Sequence, residues 1–294
     1  MNWKLFLPVA LLCACLTTLV RAEDTFFDSN GVKIHYVAAG EGEAVVLVHG
    51  WMGDAKMWGN PKPTPPPGFK VIAIDCRGHG KSGKLYDPKQ YGPEMAKDIV
   101  RLLDHLKIKK AHLIGYSMGS FIIGQVAATH PDRVLSIIYG GQAPLVKGTH
   151  PQAFSEVDAF AKAVEEGKGL GPYIISVTPA NRPKPTLEQA NAYANFMYGG
   201  KDLKAFAASG LSFRAMEIGI DALKKCKAPT LFIYGGNESD YVKGRVAAVR
   251  KLLPGTEEKI IEGGDHMTTL IKPDFGTAIV AFLNAHKTRP RASH

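Results

Sequence analysis

The chain has 294 residues, is 45% apolar and carries a formal net charge of +9, which lets it bury a substantial core and allows one large α/β domain with room for an insertion. No basic stripe with interleaved aromatics is present, so nucleic-acid binding is excluded. The excess charge reads as a solvated surface, part of it in the tail His286-Lys287-Thr288-Arg289-Pro290-Arg291.

The first residues stand apart. Lys4 supplies a positive charge, residues 5–20 are almost wholly apolar, and Val20-Arg21-Ala22 puts small residues at the −3 and −1 places of a cleavage site. This is the pattern of a secretory signal peptide removed after Ala22. The run is shorter than the roughly 20 residues a spanning helix needs, and Pro8 interrupts it, so no stable transmembrane segment is expected after processing. Export to the periplasm or medium is the expectation, with lipidation at Cys15 as a lesser alternative. Removing residues 1–22 leaves 34 basic against 27 acidic residues, a net charge of +7. Cys76 and Cys226 then remain; one follows a strand and the other precedes one, at opposite ends of a parallel sheet, so two free thiols are expected. Neither has metal-ligand spacing, and no metal or other cofactor is expected.

Residues 25–29 and 32–38, joined at Asn30-Gly31, read as an opening β-hairpin. Val45-Val46-Leu47-Val48 and Val71-Ile72-Ala73-Ile74 are continuous apolar runs, the mark of strands buried on both faces. Between them the proline-rich residues 61–67 leave room for only a short helix. Residues 93–106 form a helix with Met95, Ile99, Leu102, Leu103 and Leu106 on one face. A strand at 111–114, a helix at 121–129 and a strand at 135–139 come next. Residues 142–227 break the rhythm with helix-like segments at 151–166, 187–198, 203–209 and 213–224, and would form a cap over the sheet's C-terminal edge. Strands resume at 230–234 and 258–261, and a last helix covers 274–285. The expected organisation is a core over 23–141 and 228–286, a helical insertion over 142–227, and a basic tail over 287–294.

Gly115-Tyr116-Ser117-Met118-Gly119 lies between a strand and a helix. A serine there is held on a tight turn at the top of the sheet, and the two glycines leave room for the turn. The start of the helix favours developing negative charge. In an open parallel sheet, functional groups gather beyond the carboxyl ends of the strands. Glu238 and Asp240 come after the next-to-last strand, and Gly263-Gly264-Asp265-His266 comes after the last. The order Ser, acid, His is that of a nucleophile elbow served by later strands.

With His49-Gly50-Trp51, Asp75 to Ser82, Gly115 to Gly119, His130-Pro131-Asp132-Arg133-Val134 and Gly264-Asp265-His266, the sequence resembles the α/β-hydrolase superfamily over nearly all of residues 25–285. The resemblance implies an eight-stranded, mostly parallel sheet with helices on both faces and the cap inserted between strands 6 and 7. It also implies Ser117 as nucleophile, His266 as base, and an oxyanion hole made by the backbone N–H groups of Trp51 and Met118, with His49 and Gly50 supporting that loop. Two carboxylates compete for the third place. Glu238 lies three residues after Gly235, the common count in the family. Asp240 is trailed by Tyr241-Val242-Lys243, a better match to the residues that usually come after the family's acid, and is the preferred reading. Met52, Trp58, Tyr116, Tyr139 and Met267 are candidate pocket residues.

Serine at the elbow sets the chain apart from dehalogenases and epoxide hydrolases of this fold, which use aspartate there. The expected function is an exported serine esterase acting on a small or medium apolar acyl ester. Alternatives are a cofactor-free perhydrolase, a lactone or carbon–carbon bond hydrolase, or a ligand-binding protein with a slow or vestigial triad.

Overall fold

The computed structural model describes residues 24–60, 63–149, 154–178 and 183–288. The leader with Cys15, Pro61-Lys62 of the proline-rich run, residues 151–153 of the first expected cap helix and the tail beyond residue 288 lie outside the described residues.

Eight strands form one sheet: β1 (Thr25–Asp28), β2 (Lys33–Ala39), β3 (Glu43–Val48), β4 (Phe69–Ile74), β5 (Ala111–Tyr116), β6 (Val134–Gly140), β7 (Thr230–Gly235) and β8 (Glu257–Ile261). Their spatial order is β1-β2-β4-β3-β5-β6-β7-β8. β2 pairs antiparallel with both β1 and β4, and every other pair is parallel. Alternate residues of each strand feed opposite faces. Val46 and Val48 join Ile72 and Ile74 under α1 (Pro93–His105) and α2 (Met118–Thr129), whereas Val45 and Leu47 face the other side.

Between β6 and β7 come α3 (Ser155–Glu166), α4 (Gly171–Val177), α5 (Leu187–Tyr198), α6 (Leu203–Leu211) and α7 (Ile220–Leu223). An isolated bridge between Val146 and Ile218 pins the two ends of this insertion together. The core then resumes, with α8 (Asp240–Leu252) after β7 and α9 (Pro273–Ala285) after β8. Val242, Val246 and Val249 of α8 pack on the α1–α2 side, and Phe275, Phe282 and Leu283 of α9 cover the opposite face. Two helices are absent from the sequence reading. α4 spans only 7 residues, too few for a periodic signal, and α8 starts within the stretch read as the loop carrying the acid. Cys76 is buried, Cys226 is half-buried, and both are unpaired, as expected.

The loop after β4 is a brace. The Asp75 carboxylate accepts from the N–H of Ala55 at 2.6 Å, the N–H of Lys81 at 2.7 Å and Nδ1 of His35 at 2.8 Å. Arg77 clamps Asp98 through two bonds of 2.7 and 2.6 Å and reaches the carbonyl of Gln90. Burial alone would raise the Asp75 pKa, but the three donors overrule it and hold it at about 2. Because the folded value lies below that of a free carboxyl, near 3.8, the stabilisation is full above about pH 4 and is lost as pH falls through about 2. Its size is about 2 kcal/mol. Asp75→Asn is therefore expected to cost at least about 2 kcal/mol at pH 7 and to flatten the acid limb of stability between about pH 4 and 2. Urea unfolding across that range checks both; an unchanged acid limb would remove Asp75 from its bracing role.

Candidate active site

β5 ends at Tyr116 and α2 begins at Met118, leaving Ser117 alone at the junction with φ 53° and ψ −115°. A positive φ at a non-glycine residue carries strain of about 1–3 kcal/mol, which the surrounding packing must hold in place. The elbow glycines are sterically required: a Cβ on Gly115 would lie 2.3 Å from the backbone of Gly119, and one on Gly119 would lie 2.1 Å from the carbonyl oxygen of Val48.

The loop after β8 delivers His266. Its Nε2 lies 3.0 Å from Ser117 Oγ, and its Nδ1 lies 2.8 Å from Glu238 Oε1. With Glu238 ionised, Nδ1–H donates to the carboxylate and Nε2 is left to accept from the serine hydroxyl. Burial works against an imidazolium here, but the hydrogen bond and charge of Glu238, with the charges of Glu156 and Asp265, outweigh it and hold the His266 pKa above its ordinary value.

The preferred acid of the sequence reading, Asp240, is not the group on His266; the structure puts Glu238 there. Backbone bonds from Gly236 to Ile261 (2.9 Å) and from Asn237 to Gly264 (2.8 Å) lace the loops after β7 and β8 together. Glu238 comes next and is buried, 5% exposed. The chain then enters α8 with Ser239 as its cap, accepting from the N–H of Val242. Asp240 is consequently an exposed first-turn residue, where its charge favours the helix N-terminus. The count of three from Gly235 carried the information, whereas the residues after Asp240 belong to a helix.

The oxyanion loop is held from beneath. His49 is fully buried; its Nδ1–H donates to the carbonyl of Gly50 at 2.7 Å, and its Nε2 accepts from the N–H of Cys76 at 3.0 Å. The bond that Nε2 accepts requires the neutral ring, and burial lowers the His49 pKa accordingly. Gly50 lies against Ser117, within 3.4 Å of its Cβ at the place a side chain would start. The N–H of Met118, first residue of α2, has no acceptor in its own helix and stands free at the helix N-terminus beside Ser117. The N–H of Trp51 comes directly after Gly50, so both expected oxyanion donors lie in segments that touch the serine.

The candidate pocket residues separate. Tyr139 is fully buried against Phe232 in the core, and Trp58 packs on the apolar cluster beneath the sheet. Met267 is exposed at the rim, 64% accessible. Tyr116 is buried, and its hydroxyl donates to the backbone carbonyl of His266 at 2.8 Å. Only Met52 belongs to the apolar cluster of the insertion, with Phe160, Tyr173 and Phe206. A cleft of about 930 Å³ opens on the far side of the oxyanion loop, lined by Met52, Lys84, Lys201 and Phe206 among others; neither Ser117 nor His266 borders it. Among the described residues no cluster of side chains could hold a metal ion.

The insertion contributes contacts that the sequence reading did not name. The Trp51 indole N–H donates to the carbonyl of Phe206 at 3.0 Å, and Lys201 Nζ donates to the carbonyl of Met52 at 3.2 Å. The Trp51 ring also meets Phe160 edge-on, with centroids 5.0 Å apart. Glu156 of α3 accepts from the Tyr173 hydroxyl at 2.9 Å and adds its charge to the surroundings of His266. Nothing in the spacing of the helix-like segments marks these residues, because backbone carbonyls make half of the contacts.

Comparison with known proteins bears on the same features. The family model for the alpha/beta hydrolase fold matches residues 43–273. The chain is 28% identical over 278 residues to a non-heme chloroperoxidase from Kitasatospora aureofaciens, covering 87% of this chain and 97% of that one. It is 29% identical over 254 residues to a putative esterase/lipase from Haemophilus influenzae, covering 82% and 83%. Other curated relatives match in part only: the chain spans 44% and 31% of two that are 36% and 39% identical. Among solved structures, a thermophilic esterase from Thermogutta terrifontis superposes with a TM-score of 0.71 at 23% identity, over 90% of this chain and 98% of that one. The chain belongs to the α/β-hydrolase fold family, with a non-heme chloroperoxidase and a putative esterase/lipase among its relatives.

Proposed function

We propose that the protein is a serine esterase that cleaves apolar carboxylic esters through an acyl-enzyme. The observation that carries this reading is the unbroken line from Glu238 through His266 to Ser117, with bonds of 2.8 and 3.0 Å. Ser117 Oγ attacks the ester carbonyl carbon while its proton passes to His266 Nε2. The carbonyl oxygen takes the negative charge and accepts from the amides of Trp51 and Met118, each donor contributing about 3 kcal/mol. Glu238 stabilises the imidazolium without taking its proton. Collapse breaks the C–O bond, and His266 returns the proton to the departing alkoxide. Water, deprotonated by His266, then attacks the acyl-enzyme and releases the acid. No step requires a group from outside the chain and its substrates.

The likeness to a non-heme chloroperoxidase over 87% of the chain favours a second activity at the same site. Hydrogen peroxide in place of water would carry the acyl group away as a peracid. The pattern of residues 1–22 supports export as the setting for either reaction.

Intact mass after fluorophosphonate treatment is the direct test. One adduct is expected, absent in Ser117→Ala and His266→Ala; a folded chain with no adduct would overturn the esterase reading. Glu238→Gln is expected to lower kcat by about 10³- to 10⁴-fold, whereas Asp240→Asn stays within about twofold. The reverse pattern would return the role to Asp240. The active form has His266 neutral, so kcat/KM falls as pH drops through the His266 pKa, with a midpoint above the ordinary value of about 6.5. In Glu238→Gln the effect of burial is opposed only by the lesser charges of Glu156 and Asp265, and that midpoint moves to lower pH.

A further inference from the structure

We propose that Tyr116 is the positioning residue of the general base: its hydroxyl, one residue before the nucleophile, holds the His266 backbone so that imidazole and serine stay in register. The proposal rests on the esterase reading for its catalytic meaning. The geometry of the clamp is independent of it.

Three observations converge. The phenol donates to the His266 carbonyl at 2.8 Å, and the ring lies beside the imidazole with centroids 5.5 Å apart. The ring runs through a channel that the end of β6 leaves open. A Cβ on Gly140 would lie 2.8 Å from Tyr116 Cδ2, and one on Gly141 would lie 2.7 Å from Cζ and 2.9 Å from Oη. On the remaining side Phe275 of α9 meets the ring edge-on, with centroids 6.0 Å apart. Tyr116 N–H and C=O belong to the strand that ends at the elbow, so one residue is rigidly joined to Ser117 and bonded to the backbone of His266. Burial and the charges of Glu238 and Asp265 keep the phenol protonated, which makes it a permanent donor.

This bond does what the Glu238 bond cannot. Glu238 fixes the ring's rotation and tautomer, but its own position comes from the loop after β7. Tyr116 ties the base to the strand of the nucleophile, and thereby sets the distance across which the proton moves. Misplacement by about 1 Å is enough to cost about 100-fold in rate.

Tyr116→Phe removes only the hydroxyl. The expected result is a fall of about 10- to 100-fold in kcat and in the rate of Ser117 labelling, with KM within about twofold. The titratable groups facing His266 are Glu238, Asp265, Glu156 of α3 and Tyr116 itself. Loosening the loop weakens the Glu238 pair first, so the His266 ring titration, read by NMR, moves to lower pH in the variant. Phe275→Leu is the control: it removes the ring's edge contact, leaves the hydroxyl, and is expected to lower Tm without moving the His266 titration. Unchanged labelling and titration in Tyr116→Phe would overturn the proposal, as would an equal titration shift in Phe275→Leu. If the Phe variant does not fold, Gly141→Ala displaces the hydroxyl by another route and must give the same downward shift; an unmoved titration there overturns it too. A wild-type chain whose Ser117 does not label, but whose His266 still shifts in Tyr116→Phe, sinks the esterase reading and supports the clamp.

Discussion

The carbonyl oxygen of Val48 lies 2.1 Å from where a side chain at residue 119 would begin. That close approach is the constraint on which the rest of the site depends. It lets α2 start directly against the end of β3, and so brings Ser117 and Met118 onto the loop that carries Gly50 and Trp51. A methyl group there would push Ser117 and Met118 away from the loop that carries Gly50 and Trp51, although each segment would remain intact on its own. The site is built on backbone proximity before any side-chain chemistry is added.

Side chains then lock what proximity allows. His49 spends both ring nitrogens on backbone groups, one on its own loop and one on the loop after β4. Asp75 holds that second loop with three donors, one of them the N–H of Ala55 on the far side of the oxyanion turn. The two residues therefore grip the oxyanion loop from both of its ends. They carry opposite electrostatic requirements, a neutral imidazole and an ionised carboxylate, and the interior meets each: burial without a carboxylate partner for His49, burial with three donors for Asp75.

The sheet and the elbow at Ser117 were legible because they rest on local signals. Continuous apolar strands of four or five residues mark β3, β4, β5 and β7, and glycines two residues on either side of Ser117 mark the elbow. The acid was harder. Glu238 and Asp240 differ by two residues, and the choice between them depends on where α8 begins, which is decided by Ser239 capping Val242 and by Val242, Val246 and Val249 packing on the core. The insertion was legible as helices and illegible as a surface. Its hydrogen bonds with Trp51 and Met52 run through the carbonyl of Phe206 and the amine of Lys201, and a backbone carbonyl leaves no trace in a residue string. Tyr116 was singled out, but as a pocket wall; the neighbouring Gly140-Gly141 pair, which opens the channel for its ring, was the signal that pointed elsewhere.

Trp51 and Met118, whose backbone amides are the expected oxyanion donors, both turn their side chains to the insertion. The Trp51 indole is bonded to Phe206 and packed on Phe160, and Met118 Sδ lies 4.0 Å from Ser209 Oγ. The hydrogen bonds from Glu238 through His266 to Ser117 join only the core loops after β5, β7 and β8, and the insertion adds to them the charge of Glu156. The insertion therefore bears directly on Trp51 and Met118, whereas the bonds that orient His266 against Ser117 are made within the core. A displacement of α6 would disturb the placement of Trp51 and Met118 before it disturbed the bonds among Glu238, His266 and Ser117. This division comes from which segments are bonded to which, and under the proposed esterase reading it gives the insertion a route to the expected oxyanion donors that is separate from its charge on His266.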